Sequence, residues 1–446
     1  MAAKRSLKQL TIGLAVGSAL SISCGGMSFS GAVAQTLPDA LSIAYRTNPT
    51  IRAARAQFDA TEELKPQARA AALPNITGGA NYTFNDVSNT INFGAGPEEG
   101  SVEFETRAYQ FQAEQPVFTG LRNFNAVRQA RARVRAGGAE LIGAEQQVLL
   151  QAAEAYFDVL REETVYETNL SNVKVLVRRL DEAKLRFEVG EITKTDVAQA
   201  EARLAGARAE LARAQATLAS ARAAFKQVIG SMPATLEDDP KLPDTPQTEE
   251  QAQNFARQYA PNVLAARASA DASKRDIAIA RSAFVPQVSL TAGYTSAREP
   301  SFFVLESDEL TYGARASMPI FQGGLNISRV REAKARNTAD RQRVEEAERA
   351  AAANVTRAWE QLVAARATIR SAKAQVDANE LALEGVRRES QVGTRTTLDV
   401  LNAEQELLNS NVALANAQRE ERAGVFGLLA AAGVLSPEAL GITLGE

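Results

Sequence analysis

Two hydrophobic rhythms alternate along this chain, and each occurs twice. From Leu121 to Val189 apolar residues recur every seven positions at Val159, Tyr166, Val173, Leu180 and Phe187. From Leu325 to Val392 they do so at Val355, Leu362, Ile369, Val376 and Leu383. Neither stretch contains a proline, so each predicts one unbroken helix, roughly 100 Å long at 1.5 Å per residue. The segment after the first keeps the period with Val197, Leu204, Leu211, Leu218 and Phe225, and sets Ala200, Ala207, Ala214 and Ala221 three residues further on. Large and small side chains at the two seam positions predict close coiled-coil packing with a left-handed supercoil. The return helices, ending near Gly230 and Gly433, cover only about half of each long helix. The other half needs partners, which the helical stretches Leu37 to Ala72 and Gln251 to Phe284 can supply.

The second rhythm has a period of two, the signature of strands. Ile76, Gly78, Ala80, Tyr82 and Phe84 oppose Asn75, Thr77, Gly79, Asn81 and Thr83; a turn-rich segment, Asn85 to Gly100, leads to a return strand from about Phe104 to Phe118. In the second half Val288, Leu290, Ala292 and Tyr294 form one face, then Leu310, Tyr312, Ala314, Ala316, Met318 and Ile320. Each half thus predicts two strands of about ten residues, apolar on one side and polar on the other. That is the length and pattern of membrane β-strands; a soluble hairpin packed on helices would show it too. Four strands cannot close a barrel, and open edges are not tolerated in lipid, so a membrane reading needs strands from several copies.

The halves are a duplication. At an offset of 203, Gly190 falls on Gly393, Asp196 on Asp399, Gly230 on Gly433, Tyr156 on Trp359, and Pro116-Val117-Phe118 on Pro319-Ile320-Phe321. Upstream the offset is 212, pairing Pro49 with Pro261, Arg55 with Arg267, Pro74 with Pro286 and Tyr82 with Tyr294. The extra nine residues lie between Tyr82 and Tyr109, which marks a surface loop. Where each long helix meets its return helix stand Val189-Gly190-Glu191-Ile192-Thr193-Lys194-Thr195-Asp196 and Val392-Gly393-Thr394-Arg395-Thr396-Thr397-Leu398-Asp399. Glycine closes a helix in the left-handed conformation, and Thr-x-x-Asp opens the next as a capping box. Both stretches predict tight helical tips.

Composition narrows the function. There is no histidine, and the only cysteine is Cys24. Imidazole and thiol catalysis, Ser-His-Asp triads and Cys/His zinc sites are excluded; no phosphate-binding glycine loop occurs, and no cofactor or metal is expected. Lys4, Arg5 and Lys8 before the apolar run Leu10 to Ile22, then Ala32-Val33-Ala34, read as a secretory signal over residues 1–34. Ser21 stands where a lipidated Cys24 would have an aliphatic residue. The formal net charge of −3 argues against nucleic acid as a partner. No apolar run after the leader is long enough for a membrane-spanning helix. Tyr156 and Trp359 read as packing residues, and the arginines at 128, 131, 133 and 135 as a solvated helix face.

This order (helix, strand hairpin, long helix, tip, return helix, all twice) resembles the TolC family of outer-membrane channels. The most specific stretch is Val392-Gly393-Thr394-Arg395-Thr396-x-x-Asp399-Val400-Leu401, with Pro319-Ile320-Phe321-x-Gly323-Gly324 at a strand end. The resemblance implies a mainly α protomer with a membrane β part: a first repeat over 35–230, a linker over 231–248, a second repeat over 249–435 and a tail over 436–446. It implies a homotrimer whose strands form one twelve-stranded barrel in outer-membrane lipid and whose helices form a twelve-helix tunnel. It further implies a gate of Arg395, Asp399 and Asp196. Tip residues Val189, Gly190, Val392, Gly393 and Thr394 would face a periplasmic adaptor, itself joined to an ABC or proton-driven inner-membrane transporter. Such a duct is no enzyme; it passes proteins in type I secretion, or drugs and other small toxic molecules. Two departures stand out: Asn402 replaces a second gate aspartate, and Ser390 replaces a gate tyrosine. The rival expectation is a periplasmic coiled-coil scaffold that never enters a membrane.

Overall fold

The computed structural model describes residues 35–92, 97–301 and 303–441; the expected leader, residues 93–96 and 302, and residues 442–446 lie outside them. In chain order come α1 (Leu37–Thr47), α2 (Pro49–Glu62), α3 (Leu64–Ala70), β1 (Asn75–Asn92), β2 (Pro97–Phe118), α4 (Arg122–Glu188) and α5 (Lys194–Ile229). The second half repeats this with α6 (Glu249–Tyr259), α7 (Pro261–Arg281), β3 (Gln287–Ser301), β4 (Val304–Ser317), α8 (Leu325–Gln391) and α9 (Thr397–Ala431). A single 3-10 turn, Ser282–Phe284, follows α7.

The frame is α4 and α8, each 67 residues long. Their lower halves carry α5 and α9; their upper halves are covered by α2 and α3 on α4, and by α7 against both. The heptad reading holds for most positions: Leu180, Leu204, Leu218, Phe225, Val355, Leu362, Val376 and Leu383 are buried, as are Ala200, Ala207 and Ala214, while Tyr166, Val173, Val197, Leu211, Ala221 and Ile369 are half-buried. Phe187, near the tip, is exposed. The duplication reaches single ion pairs. Arg55 meets Glu145 at 3.1 Å in the first half and Arg267 meets Glu348 at 2.6 Å in the second. The stretch from Leu37 to Ala72 is helical as expected but is broken twice. Asn48 caps α2 through its side chain, with Pro49 at the first helical position. The second break, at Glu63, lies just before Pro66, whose ring would clash with the carbonyl of Glu62 in a continuous helix.

Midway along the molecule α1, α6 and the ends of α5 and α9 close over the long helices. Leu37, Leu41, Tyr156, Phe157, Phe225, Ile229, Phe426 and Leu435 share one core there. The Tyr156 hydroxyl donates to the Gln35 carbonyl at 2.9 Å and accepts from the Glu237 N–H at 3.0 Å, which ties the inter-repeat segment to this waist. Burial pushes this hydroxyl up from 10.0 to about 12. The folded state therefore favours the protonated phenol. Its contribution is fully present below pH 10 and is lost as pH rises from 10 towards 12. Tyr156→Phe should cost about 1 kcal/mol at neutral pH and flatten that alkaline limb, as read by helical circular dichroism during thermal unfolding.

The four strands make one antiparallel sheet in the order β1-β2-β3-β4, with β1 and β4 as its open edges. Apart from Val87, paired with Val102, and Phe104, which fall on the other side, the register aligns the alternating apolar positions named above on one face: Ala80 opposite Tyr109, Gly78 opposite Phe111, Phe111 opposite Tyr294, Leu290 opposite Ala314, and Tyr294 opposite Leu310. This face is bare, with Tyr312 85% and Ile76 71% exposed, and among the described residues no helix covers it. The hairpins do not rest on helices in the way a packed hairpin would. The first hairpin corrects the expected length. Its strands run 18 and 22 residues, against 15 and 14 in the second hairpin. Residues 85–92 and 97–100, expected as turn, belong to the ladder. Asn, Asp, Ser and Gly favour turns as single residues, but in a ribbon wetted on both faces the backbone ladder outweighs that preference. In the second hairpin β4 stops at Ser317, short of Met318 and Ile320, where its partner β3 begins at Gln287.

Candidate gate at the helical tips

Both tips close in the same way. After α4, Gly190 takes φ +78°, and the Glu191 N–H reaches back to the Arg186 carbonyl at 2.9 Å. After α8, Gly393 takes φ +79°, and the Thr394 N–H reaches the Glu389 carbonyl at 3.0 Å. This bond from five residues on satisfies an orphan carbonyl and requires the left-handed glycine. Each return helix then opens on a capping box. Asp196 Oδ2 accepts from the Thr193 N–H and hydroxyl, both at 2.8 Å. Asp399 Oδ2 accepts from the Thr396 N–H at 3.0 Å and hydroxyl at 2.8 Å.

These bonds set the charge. The Thr396 backbone N–H, then its hydroxyl, then Arg395 hold the Asp399 carboxyl below the usual range. Thr193 does the same for Asp196. Both aspartates are thus anions at neutral pH, with the cap using one oxygen of each. Arg395 is exposed and donates from Nε to Glu389 Oε2 at 2.8 Å, inside its own hairpin. Val189 and Val392 stand at the extreme end, 72% and 75% exposed. Apolar side chains so placed suit contact with another protein more than contact with water.

The structure also brings together residues that the sequence reading passed over. Arg203 on α5 donates to Asn402 Oδ1 on α9 at 2.7 Å, so the residue standing where an aspartate was expected joins the two hairpins. Arg179 on α4 and Arg387 on α8 both donate to Glu404 Oε1 on α9, at 3.1 and 2.9 Å. Glu404 lies one turn beyond Val400 and Leu401, on the buried stripe of α9. A carboxylate on that stripe was the available signal. Ser390 lines a cavity of about 490 Å³ with Arg179, Arg186, Arg387 and Val400.

Residues 40–231 and 254–434 match the family model described as outer membrane efflux protein. The chain belongs to that family. Outer membrane efflux protein BepC of Brucella suis is 30% identical, over 97% of this chain and 92% of its own. Outer membrane protein TolC of Vibrio cholerae is 27% identical, over 94% of this chain and 95% of its own. Among solved structures, the outer membrane protein VceC of Vibrio cholerae aligns with a TM-score of 0.74 at 24% identity, covering 89% of this chain and 96% of that one. As an outer membrane efflux protein, the chain resides in the outer membrane and is an exit duct. Its bare apolar sheet face accords with that location. Among the described residues no helix is long and apolar enough to cross a membrane.

Proposed function

We propose that three copies of this chain assemble into one gated channel. The observation that carries this is the sheet: four strands, two open edges, one continuous apolar face, standing on helical hairpins about 100 Å long. Joining β4 of one copy to β1 of the next removes every edge, and three copies close a barrel of twelve strands with its apolar face to lipid and its polar face to water. The helices continue the bore across the periplasm. The exposed valines at the tips meet a periplasmic adaptor, which couples the duct to an inner-membrane transporter. That transporter supplies the energy; the duct itself catalyses nothing. The 30% identity to the outer membrane efflux protein BepC supports efflux as its task. The same wet bore would also pass an unfolded protein in type I secretion.

At the inner end, threefold symmetry would gather Asp399 and Asp196 into rings of carboxylates, which favour cations and bind divalent ions. Arg395 offers a forked donor to a neighbouring tip. Arg395→Ser should raise single-channel conductance in planar bilayers and sensitise cells to large antibiotics. Asp399→Ala should lower cation selectivity and divalent block with less change in resting conductance. If Asp399 served only as a cap, its removal would loosen the start of α9 and leave selectivity as it was. Unchanged selectivity in a correctly assembled Asp399→Ala trimer removes the residue from the gate.

A further inference from the structure

The first strand hairpin changes character where it leaves the sheet. β3 pairs with β2 only as far as Arg298 opposite Arg107, so residues 84–92 and 97–106 continue as a two-stranded arm. Its base is pinned: the Thr106 hydroxyl donates to the Glu299 carbonyl at 2.8 Å and accepts from Asn85 Nδ2 at 3.0 Å. Glu299 takes φ +49° and turns the end of β3 out of the ladder. The second hairpin has no such arm, since β3 and β4 are only 15 and 14 residues long.

Along this arm the two faces exchange chemistry. Within the sheet the inward face is polar, with Asn75, Thr77, Asn81 and Thr83 on β1 and Gln110 and Gln112 on β2, and the outward face is apolar. Above Thr83 the inward face carries Phe104, paired with Asn85, and then Val87 paired with Val102. The outward face now carries Asp86 paired with Glu103 and Ser88 paired with Ser101, above Glu105 and its ion pair with Arg107 at 3.2 Å. The outward change follows from leaving lipid for water. The inward change has no such cause, because that face meets water on both sides of the rim. Apolar residues gathered on one face in water mark a contact surface. In the single copy this surface is open: Val87 is 37% exposed, and Val102 and Phe104 are half-buried.

We infer that the three arms lean over the outer mouth and meet through Val87, Val102 and Phe104 of each copy, narrowing the mouth to an apolar collar; this rests on the trimeric-barrel reading above. A threefold axis brings the same residue of every copy to one point, so the surface that fits this patch is its own image on the other two copies. The reach suffices. Val102 lies five residues beyond Arg107, about 17 Å along the strand, and twelve strands about 4.8 Å apart enclose a bore of roughly 12 Å radius. A two-stranded ribbon also twists more than a wide sheet, which lets it coil inward. The outward carboxylates Asp86, Glu103 and Glu105 stay in water. Their like charge opposes the alternative in which the outer faces of neighbouring arms pack together.

The test is disulfide formation between copies. The only cysteine is Cys24, so single cysteines are introduced together with Cys24→Ser. Oligomers are purified in reductant, checked for heat resistance on gels and then oxidised. Val102→Cys should give disulfide-linked dimers on non-reducing denaturing gels. A disulfide needs Cα atoms within about 7 Å of each other, and only a meeting near the axis brings two copies that close. Glu103→Cys, next to it on the outward face, should give several-fold less. Val87→Cys, across the ladder from Val102, should behave as Val102→Cys does, and it decides if the Val102→Cys chain does not assemble. Heat-resistant oligomers with no link at Val102 or Val87 overturn the collar and leave the barrel standing. Absence of oligomers in the Cys24→Ser parent itself overturns the barrel reading, and the collar with it. Equal links at Glu103 and Val102 also overturn the collar, since the arms would then collide at random rather than meet through one face.

Discussion

Arginine at Leu290 is expected to abolish assembly of the oligomer, while arginine at the adjacent Thr291 is tolerated. Leu290 lies on the apolar face, paired with Ala314 and next to the Ala113–Ala292 row. A cation placed there must enter hydrocarbon at a cost of about 2–4 kcal/mol near the midplane, and a trimer incurs it three times. Thr291 points to the opposite face, directly across from Glu114. A guanidinium there meets water and a cross-strand carboxylate, an arrangement that is mildly stabilising in sheets. The readout is the yield of heat-resistant oligomers in detergent extracts of outer membranes. Equal yields for the two variants would remove the assignment of faces, and with it the barrel.

The helical part was legible because its signals are local and redundant. A seven-residue period sustained through α4 and α8 cannot be mistaken for a strand pattern, and a glycine followed by Thr-x-x-Asp fixes each tip within a residue or two. The strand faces were legible for the same reason. The length of the first hairpin was not. Residues 85–92 and 97–100 are strand because a partner strand pairs with them, and that partner is set by register rather than by the residues themselves. The cluster of Arg179, Arg387 and Glu404 was hidden differently. Its members lie 17 to 225 residues apart, on three helices, and each alone reads as a solvated charge. Asn402 was noticed for what it lacked; that it binds Arg203 depends on how the hairpins sit together. Contacts within a hairpin follow from the heptad, whereas contacts between hairpins need the tertiary structure.

The same division separates four glycines that look alike in sequence. Gly190, Gly230, Gly393 and Gly433 all take positive φ, at +78°, +97°, +79° and +75°. Alanine at any of them incurs the left-handed penalty, roughly 1–2 kcal/mol. At Gly190 and Gly393 nothing lies within 4 Å of an added Cβ, so that penalty is the whole effect. At Gly230 the Cβ would meet the Thr47 hydroxyl at 3.2 Å, the end of a side chain that can turn away. Gly433 occupies the corresponding place in the second repeat, against the α6–α7 junction. There the Cβ would stand 2.6 Å from the Ala260 nitrogen and the Tyr259 carbonyl carbon, both backbone. That backbone has little room to yield. Ala260 is buried and Pro261 fixes the start of α7, while the Gly433 carbonyl is itself held by Gln146 Nε2 at 3.0 Å. Gly433→Ala should therefore cost on the order of 4 kcal/mol or more, in the range reserved for severe packing faults. It should pry the end of α9 from the waist, expose the α6–α7 junction to trypsin and lower the temperature at which oligomers dissociate. Gly230→Ala should fall well short of that, and Gly190→Ala and Gly393→Ala should be the mildest. A Gly433→Ala protein as heat-resistant as the Gly230→Ala protein would mean that the junction shifts to make room, and that the waist is looser than its close contacts imply.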